Sequence, residues 1–207
     1  MHRYGKTWNL FGTRLSNFTS GRDHNEVNDD QLIAQTLEGN RDAFGELVTK
    51  YQVRLYNTMI QIVGSTEDAY DVTQDAFLQA YLRLDTFRRS SKFYTWLYRI
   101  AFNVAVGMRR RHRSHRMAES LQMELHDRLL DRENRPEENL ISQENIKTVR
   151  DAVERLEHEF RSVVILRELE EFSYEEIAEI LEIPIGTVRS RLHRARMLIR
   201  EYLLRKI

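Results

Sequence analysis

The chain of 207 residues contains no cysteine. That excludes disulfides, thiolate metal sites and a cysteine nucleophile, and it fits a reducing compartment, so a cytoplasmic protein is expected. Proline occurs only at Pro136 and Pro184, and glycine eight times, so long helices can run with little interruption. Alternating β-branched runs are scarce, which argues against a sheet. No apolar run approaches the roughly 20 residues of a membrane helix, and the N-terminus lacks the apolar core of a signal peptide, so membrane insertion is not expected. Charge of one sign is not in excess, with 32 basic and 32 acidic residues. Motifs for chemistry are missing too. There is no paired-carboxylate metal site, phosphate loop or nucleophile–base pair, so neither an enzyme nor a cofactor is expected. His112 and His115 have a metal-like spacing but no third ligand in view.

What is present is helical periodicity. Residues 1–28 show none and read as a flexible arm. From Asp29, Leu32, Ile33 and Leu37 share a face up to Gly39. A second helix is predicted over 41–63, where apolar residues from Ala43 to Ile60 recur at spacings of three and four, and Gly64 ends it. Ser65 with Asp68 marks the start of a third, about 66–84. Residues 112–142 are polar and irregular and read as a linker, with a short amphipathic piece at 117–125. Apolar stripes return from Gln143. The expectation is an all-α protein of two small helical domains, 29–111 and 143–207, joined by a flexible linker over 112–142.

Two stretches carry functional information. In the first, 173–196, Ser173 and Glu176 form a capping-box pattern ahead of Ile177, Ala178, Ile180 and Leu181. Pro184 and Gly186 break the helix, and Thr187 is expected to cap a second one whose inner face is Val188, Leu192 and Ala195. The outer face of that helix carries Arg189, Ser190, Arg191, His193, Arg194 and Arg196. This is a helix-turn-helix pattern with a recognition helix suited to the major groove. The bland alternative is a basic solvated helix closing an all-α domain. Glu182 sits where such turns usually have glycine, and a left-handed residue there costs roughly 1 kcal/mol. The zero net charge hides segregation. Seven acids and no base lie between Glu168 and Glu182, whereas Thr187 to Ile207 holds seven bases and one acid.

The second stretch is 85–116. Arg88, Arg89, Ser90, Ser91 and Lys92 form a basic loop between Phe87 and Phe93, followed by Tyr94, Trp96, Tyr98, Arg99 and Asn103. Cations interleaved with rings suit single-stranded nucleic acid. The spacing of Trp96, Leu97, Ile100 and Ala101 is that of a buried face. Arg109, Arg110, Arg111, Arg113 and Arg116 can contact phosphates without reading sequence. Ahead of the loop, Glu67, Asp68, Asp71, Gln74 and Asp75 read, taken alone, as a solvated face favoured by a helix dipole.

Together, DAYDVTQDAFLQAYLRLDTFR with FYTWLYRIAFN, and FRSVVILRELEEFSYEEIAEILEIPIGTVRSRLHRAR, resemble regions 2 and 4 of bacterial RNA polymerase sigma factors. With only a linker between them, the layout resembles the extracytoplasmic-function group, nearest the envelope-stress subgroup. The resemblance implies a promoter-specificity subunit that binds core RNA polymerase, through the β′ clamp helices and the β flap, together with promoter DNA. It further implies control by an anti-sigma factor. It assigns Asp68, Asp71, Gln74, Asp75 and Phe77 to core polymerase binding. Phe87, Arg88, Arg89, Ser91, Lys92, Tyr94, Trp96 and Asn103 would take the melted −10 element. Thr187, Arg189, Ser190, Arg191, His193 and Arg194 would read the −35 duplex, with Arg109, Arg110, Arg111 and Arg196 on phosphates. Tyr70, Glu157 and Glu182 depart from the family pattern. A helix-turn-helix repressor explains 173–196 but leaves 87–103 without a role.

Overall fold

A computed structural model describes the backbone of residues 26–120 and 148–206 and the side chains of 29–112 and 148–206. Residues 1–25 of the expected arm and 121–142 of the expected linker lie outside the described residues, whereas the backbone at 26–28 is already helical, so the first helix starts three residues before Asp29.

The described residues are helical without a strand. Four long helices make the first domain: α1 (Glu26–Leu37), α2 (Arg41–Val63), α3 (Thr66–Leu82) and α4 (Phe93–Ser120). Their ends follow the local chemistry. Asn40 caps α2 by accepting from the Asp42 amide, and Gly64 closes it at φ 82°, a left-handed conformation that glycine adopts freely. Ser65 caps α3 through the Asp68 amide. A short 3-10 turn (Leu84–Thr86) leads into the 87–92 loop. Helix α4 continues to Ser120, past Arg111 where the sequence pattern ended the first domain, so the first residues of the expected linker are helical.

The second domain begins, among described residues, with α5 over 148–154. Next is α6 (His158–Val164), which widens into a π-helical turn (Ile165–Leu169). Then come α7 (Tyr174–Leu181) and α8 (Ile185–Leu204). The Ser173 hydroxyl accepts from the Glu176 amide at 3.1 Å, and the Glu176 carboxylate accepts from the Ser173 amide at 2.8 Å, so the capping box is complete. Thr187 is not the cap of α8. Pro184 occupies that position and Thr187 lies within the first turn, because the backbone already closes from the Thr187 amide onto the Pro184 carbonyl at 2.8 Å.

The domains are not separate. Leu47, Leu55 and Met59 of α2 and Leu97 and Ala101 of α4 join Val163, Leu166, Ile177 and Ile180 in one continuous buried cluster. The contact runs between α4 and α7 and between α2 and the α6–π segment. At its edge His158 stacks on Phe102, ring centroids 5.7 Å apart and 18° between planes. Burial, helped by the charges of Arg109 and Arg161, lowers the His158 pKa to about 4. The folded state therefore prefers the neutral ring. Between the unfolded value of 6.5 and about 4, the unfolded chain binds more protons, so stability is lost as pH falls through that window. The histidine contribution is on the order of 1–2 kcal/mol, less than the full shift implies because the ring is only partly buried. Urea titrations at pH 7 and pH 4.5 should show a smaller loss for His158→Phe than for the parent chain.

Candidate nucleic-acid interface

Helix α8 presents the expected recognition face. Val188, Leu192, Ala195 and Ile199 are buried, which turns Arg189, Ser190, His193 and Arg194 outward, all exposed. Arg191 and Arg196 differ. The Arg191 guanidinium donates to Glu159 at 2.6 Å and Arg196 donates to Glu168 at 2.6 Å. Both are held by acids of the α6–π segment, so they brace α8 and stand apart from the exposed quartet.

Between α7 and α8 the chain turns at Glu182, left-handed at φ 54° and ψ 44°, as the sequence suggested. A β-carbon in that conformation costs about 1 kcal/mol. The side chain gives something in return: its carboxylate accepts from Asn103 at 3.4 Å and lies 3.9 Å from Arg99. Those partners are largely exposed and contribute only a few tenths of a kcal/mol. Glu182→Gly should therefore raise stability by roughly 0.5–1 kcal/mol, a melting temperature a few degrees higher by calorimetry.

The 87–92 loop and α4 hold the second expected surface. Arg88, Arg89 and Lys92 are exposed, and Arg89 is left-handed at φ 55° with its guanidinium 3.6 Å from Asp30. Phe87 lies half-buried on Trp96 and Phe93, at 5.2 and 5.9 Å between centroids. Trp96 itself is only 6% exposed, with Leu97 and Ala101 fully buried beside it. The buried-face spacing thus describes Trp96, which supports the aromatic cluster from beneath.

The other members of that surface meet the second domain. Ser91 donates to Glu179 at 2.7 Å, Thr95 to Glu176 at 3.4 Å and Asn103 to Glu182 at 3.4 Å. Tyr94 stacks on Phe172 with centroids 5.1 Å apart and 21° between planes. At the centre sits Glu170, 9% exposed. Its carboxylate accepts from Arg54 at 2.7 Å, from the Thr58 hydroxyl at 2.5 Å and from the Tyr94 phenol. Arg54 also lies over the Tyr94 ring at 4.4 Å, and Tyr98 is within 2.9 Å of the Thr58 hydroxyl. Burial and the negative charge of Glu170 push both phenols above their ordinary values, which keeps them protonated as donors. Glu170 reaches this pocket because it follows the π-turn, whose wider closure runs from the Glu170 amide to the Ile165 carbonyl at 3.2 Å. In the sequence Glu170 stands beside Glu171 within an acidic block, and nothing local marks it as the one acid that is buried.

The residues expected to bind core polymerase lie on α3. Asp71, Gln74 and Asp75 are exposed and share a shallow depression with Met108, Arg111 and His112. Tyr70, Leu78 and Leu82 are 58, 57 and 68% exposed along the same flank. Phe77 is 6% exposed and belongs to the core beneath it. Arg109, Arg110 and Arg111 are exposed at the far end of α4. Among the described residues no His, Asp and Glu cluster is arranged to hold a metal, and no helix is long and apolar enough to cross a membrane.

Comparison with known proteins agrees with this layout. The profile of Sigma-70 region 2 matches residues 47–115 and that of Sigma-70, region 4 matches 146–199. The RNA polymerase sigma-H factor of Pseudomonas aeruginosa is 39% identical over 173 residues, 81% of this chain and 90% of that one. The ECF RNA polymerase sigma-E factor of Escherichia coli K12 is 40% identical over 177 residues, 83% of this chain and 92% of that one. The ECF sigma factor SigW of Bacillus subtilis is 33% identical over 176 residues, 83% and 94%. Among solved structures, CnrH in complex with the cytosolic domain of CnrY superposes with a TM-score of 0.61 at 27% identity, covering 85% of this chain and 97% of that one. The sigma factor RpoE of Bartonella quintana, in complex with the anti-sigma factor NepR, gives 0.59 at 25% identity, covering 77% and 96%. With both regions matched and most of each relative spanned, the chain belongs to the extracytoplasmic-function group of RNA polymerase sigma factors.

Proposed function

We propose that the chain works in the cytoplasm as a non-catalytic promoter-specificity subunit whose two domains divide promoter reading between them. The exposed quartet Arg189, Ser190, His193 and Arg194 reads the −35 duplex from the major groove. Arginine there can bind guanine bidentately, and serine or histidine can take single base-edge contacts. The 87–92 loop and α4 take unpaired −10 bases, with Arg88, Arg89 and Lys92 on phosphates and Phe87 and Tyr94 offering rings. Arg109, Arg110 and Arg111 add contacts that carry no sequence information. The α3 flank with Asp71, Gln74 and Asp75 docks on core polymerase. The observation that carries this reading is the separation of two unlike surfaces, one a groove-fitting helix and the other a basic loop over an aromatic cluster.

Splitting the contacts leaves each domain weak on its own. Attachment to polymerase raises the effective concentration of both. As for the Bartonella quintana relative, which was solved with the anti-sigma factor NepR, an anti-sigma factor is the expected regulator. The test is run-off transcription with core polymerase from start sites mapped after overexpression. Initiation from a defined −35 and −10 pair is expected. Silence combined with tight operator binding by the chain alone would favour a helix-turn-helix repressor. For the docking flank, Asp75→Arg should weaken competition for core polymerase severalfold, since reversing an exposed interface charge adds repulsion without unfolding the helix.

A further inference from the structure

Helix α3 carries more exposed large apolar side chains than any other helix among the described residues. Tyr70, Leu78 and Leu82 recur along one flank, and Tyr81 stands beside them. The helix is also of one charge. Between Thr66 and Leu82 lie Glu67, Asp68, Asp71 and Asp75 and no base. A single exposed apolar residue is ordinary, but a row of them on one helix marks an interaction surface. We propose that this flank docks the chain's own N-terminal arm, residues 1–25, laid antiparallel along α3, and that core polymerase displaces the arm when it takes the same flank. The displacement rests on the reading of α3 as the polymerase-docking surface, and the docking does not.

The sequence of the arm has the complementary pattern. Trp8, Phe11, Leu15 and Phe18 follow one another at the spacing of one helical face. Arg3, Lys6, Arg14 and Arg22 are its charged residues ahead of Asp23, so no acid offsets them. A basic aromatic segment thus faces an acidic apolar one. The order along the two segments also matches. The arm joins the fold at Glu26, the start of α1, and that end is held near the C-terminal end of α3. Helix α1 packs on the Leu84–Thr86 turn, and Asp30 lies 3.6 Å from the Arg89 guanidinium. Run antiparallel from there, Phe18 and Leu15 meet Leu82 and Leu78, and Lys6 and Arg3 reach Asp71 and Glu67. Residues 19–25 can supply a link of up to about 24 Å. The flank from Leu82 to Tyr70 is about 18 Å long at the rise of an α-helix, so the arm is long enough to cover it. Gly12 costs a helix there about 1 kcal/mol, so contact with α3, and not propensity, has to hold the arm in place.

The arm carries its own reporter. The chain has two tryptophans, Trp8 and Trp96, and Trp96 is buried. Subtracting the emission of Trp8→Phe therefore leaves the signal of Trp8. In the dilute full-length chain, acrylamide, an uncharged quencher, should reach Trp8 several-fold less readily than it does in Leu78→Lys/Leu82→Lys. Both side chains are more than half exposed, so the fold is kept, while lysine removes the apolar contact and repels a basic arm. Equal quenching in the two chains overturns the proposal. Shielding that fades on dilution assigns the surface to a second copy. Trp8 free in water but shielded by phosphatidylglycerol vesicles assigns the arm to a membrane surface, and either result overturns the proposal. For the displacement, Trp8→Ser/Phe11→Ser/Phe18→Ser in the full-length chain should compete for core polymerase several-fold better than the parent, because apparent affinity rises with the fraction of molecules whose flank is uncovered. Unchanged competition overturns the displacement. If Asp75→Arg also competes as well as the parent, the polymerase reading of α3 falls with it, and the quenching result alone then decides the docking.

Discussion

Replacing Trp96 with alanine is expected to lower the stability of the chain by about 3–5 kcal/mol, the range for removing a buried large aromatic side chain. Trp96 is 6% exposed and contacts Phe87 at 5.2 Å and Phe93 at 5.8 Å, so its removal opens a cavity and loosens the platform under the 87–92 loop. The family resemblance alone would make Trp96 a nucleic-acid contact whose loss affects promoter opening and spares the fold. The two roles separate cleanly. Urea unfolding of Trp96→Ala should shift to a much lower midpoint, and Trp96→Phe should recover most of the loss because it refills the same site. A Trp96→Ala chain of unchanged stability with defective initiation would return the residue to the DNA surface. Marginal overall stability means that a loss of this size shows as poor accumulation in cells as well.

Arg194→Ala should reduce initiation from a −35-dependent promoter by roughly 1–3 kcal/mol, about 5- to 150-fold, while binding to core polymerase and thermal stability stay unchanged. The side chain is exposed and stands on the turn of α8 that also shows Ser190 and His193. A bidentate contact with a guanine edge would account for the magnitude, and an exposed surface residue leaves stability within about 0.5 kcal/mol. Arg191→Ala makes the comparison. That guanidinium is held by Glu159 at 2.6 Å, so its loss should register first as a modest destabilisation of the second domain. Quantitative run-off assays alongside melting curves distinguish the pair. Equal effects of the two substitutions on initiation would mean that Arg191 leaves Glu159 on DNA.

Much of the fold was legible because helix limits depend on neighbours along the chain. Asn40 and Gly64 bound α2 at the expected residues, and the Ser173–Glu176 box starts α7. The left-handed Glu182 was legible for the same reason, as a turn residue without a glycine. Thr187 misled because a threonine near a helix start suggests a cap, whereas Pro184 supplies the extended backbone three residues earlier. The recognition face was legible in outline, since buried Val188, Leu192 and Ala195 fix which side turns outward. Which arginines stay there was not, because Glu159 and Glu168 are some thirty residues away in sequence. The acidic block before α8 is legible in the sequence as charge segregation, but what its acids meet is not. Their actual partners, Ser91, Thr95 and Asn103, lie across a domain boundary, and no local pattern encodes a contact between residues 79 to 88 positions apart.

The shared core has a thermodynamic consequence of its own. Phe172, Tyr94 and Tyr98 meet ring to ring between the domains, and Leu97 and Ile177 belong to the same cluster. While they are in contact, the two halves are expected to melt as one calorimetric unit, with the enthalpy and heat capacity of the whole. Separation on polymerase would expose these rings and split that unit into two smaller ones, each with a shallower stability curve. The polymerase surface then has to supply the apolar cover that each half had from the other.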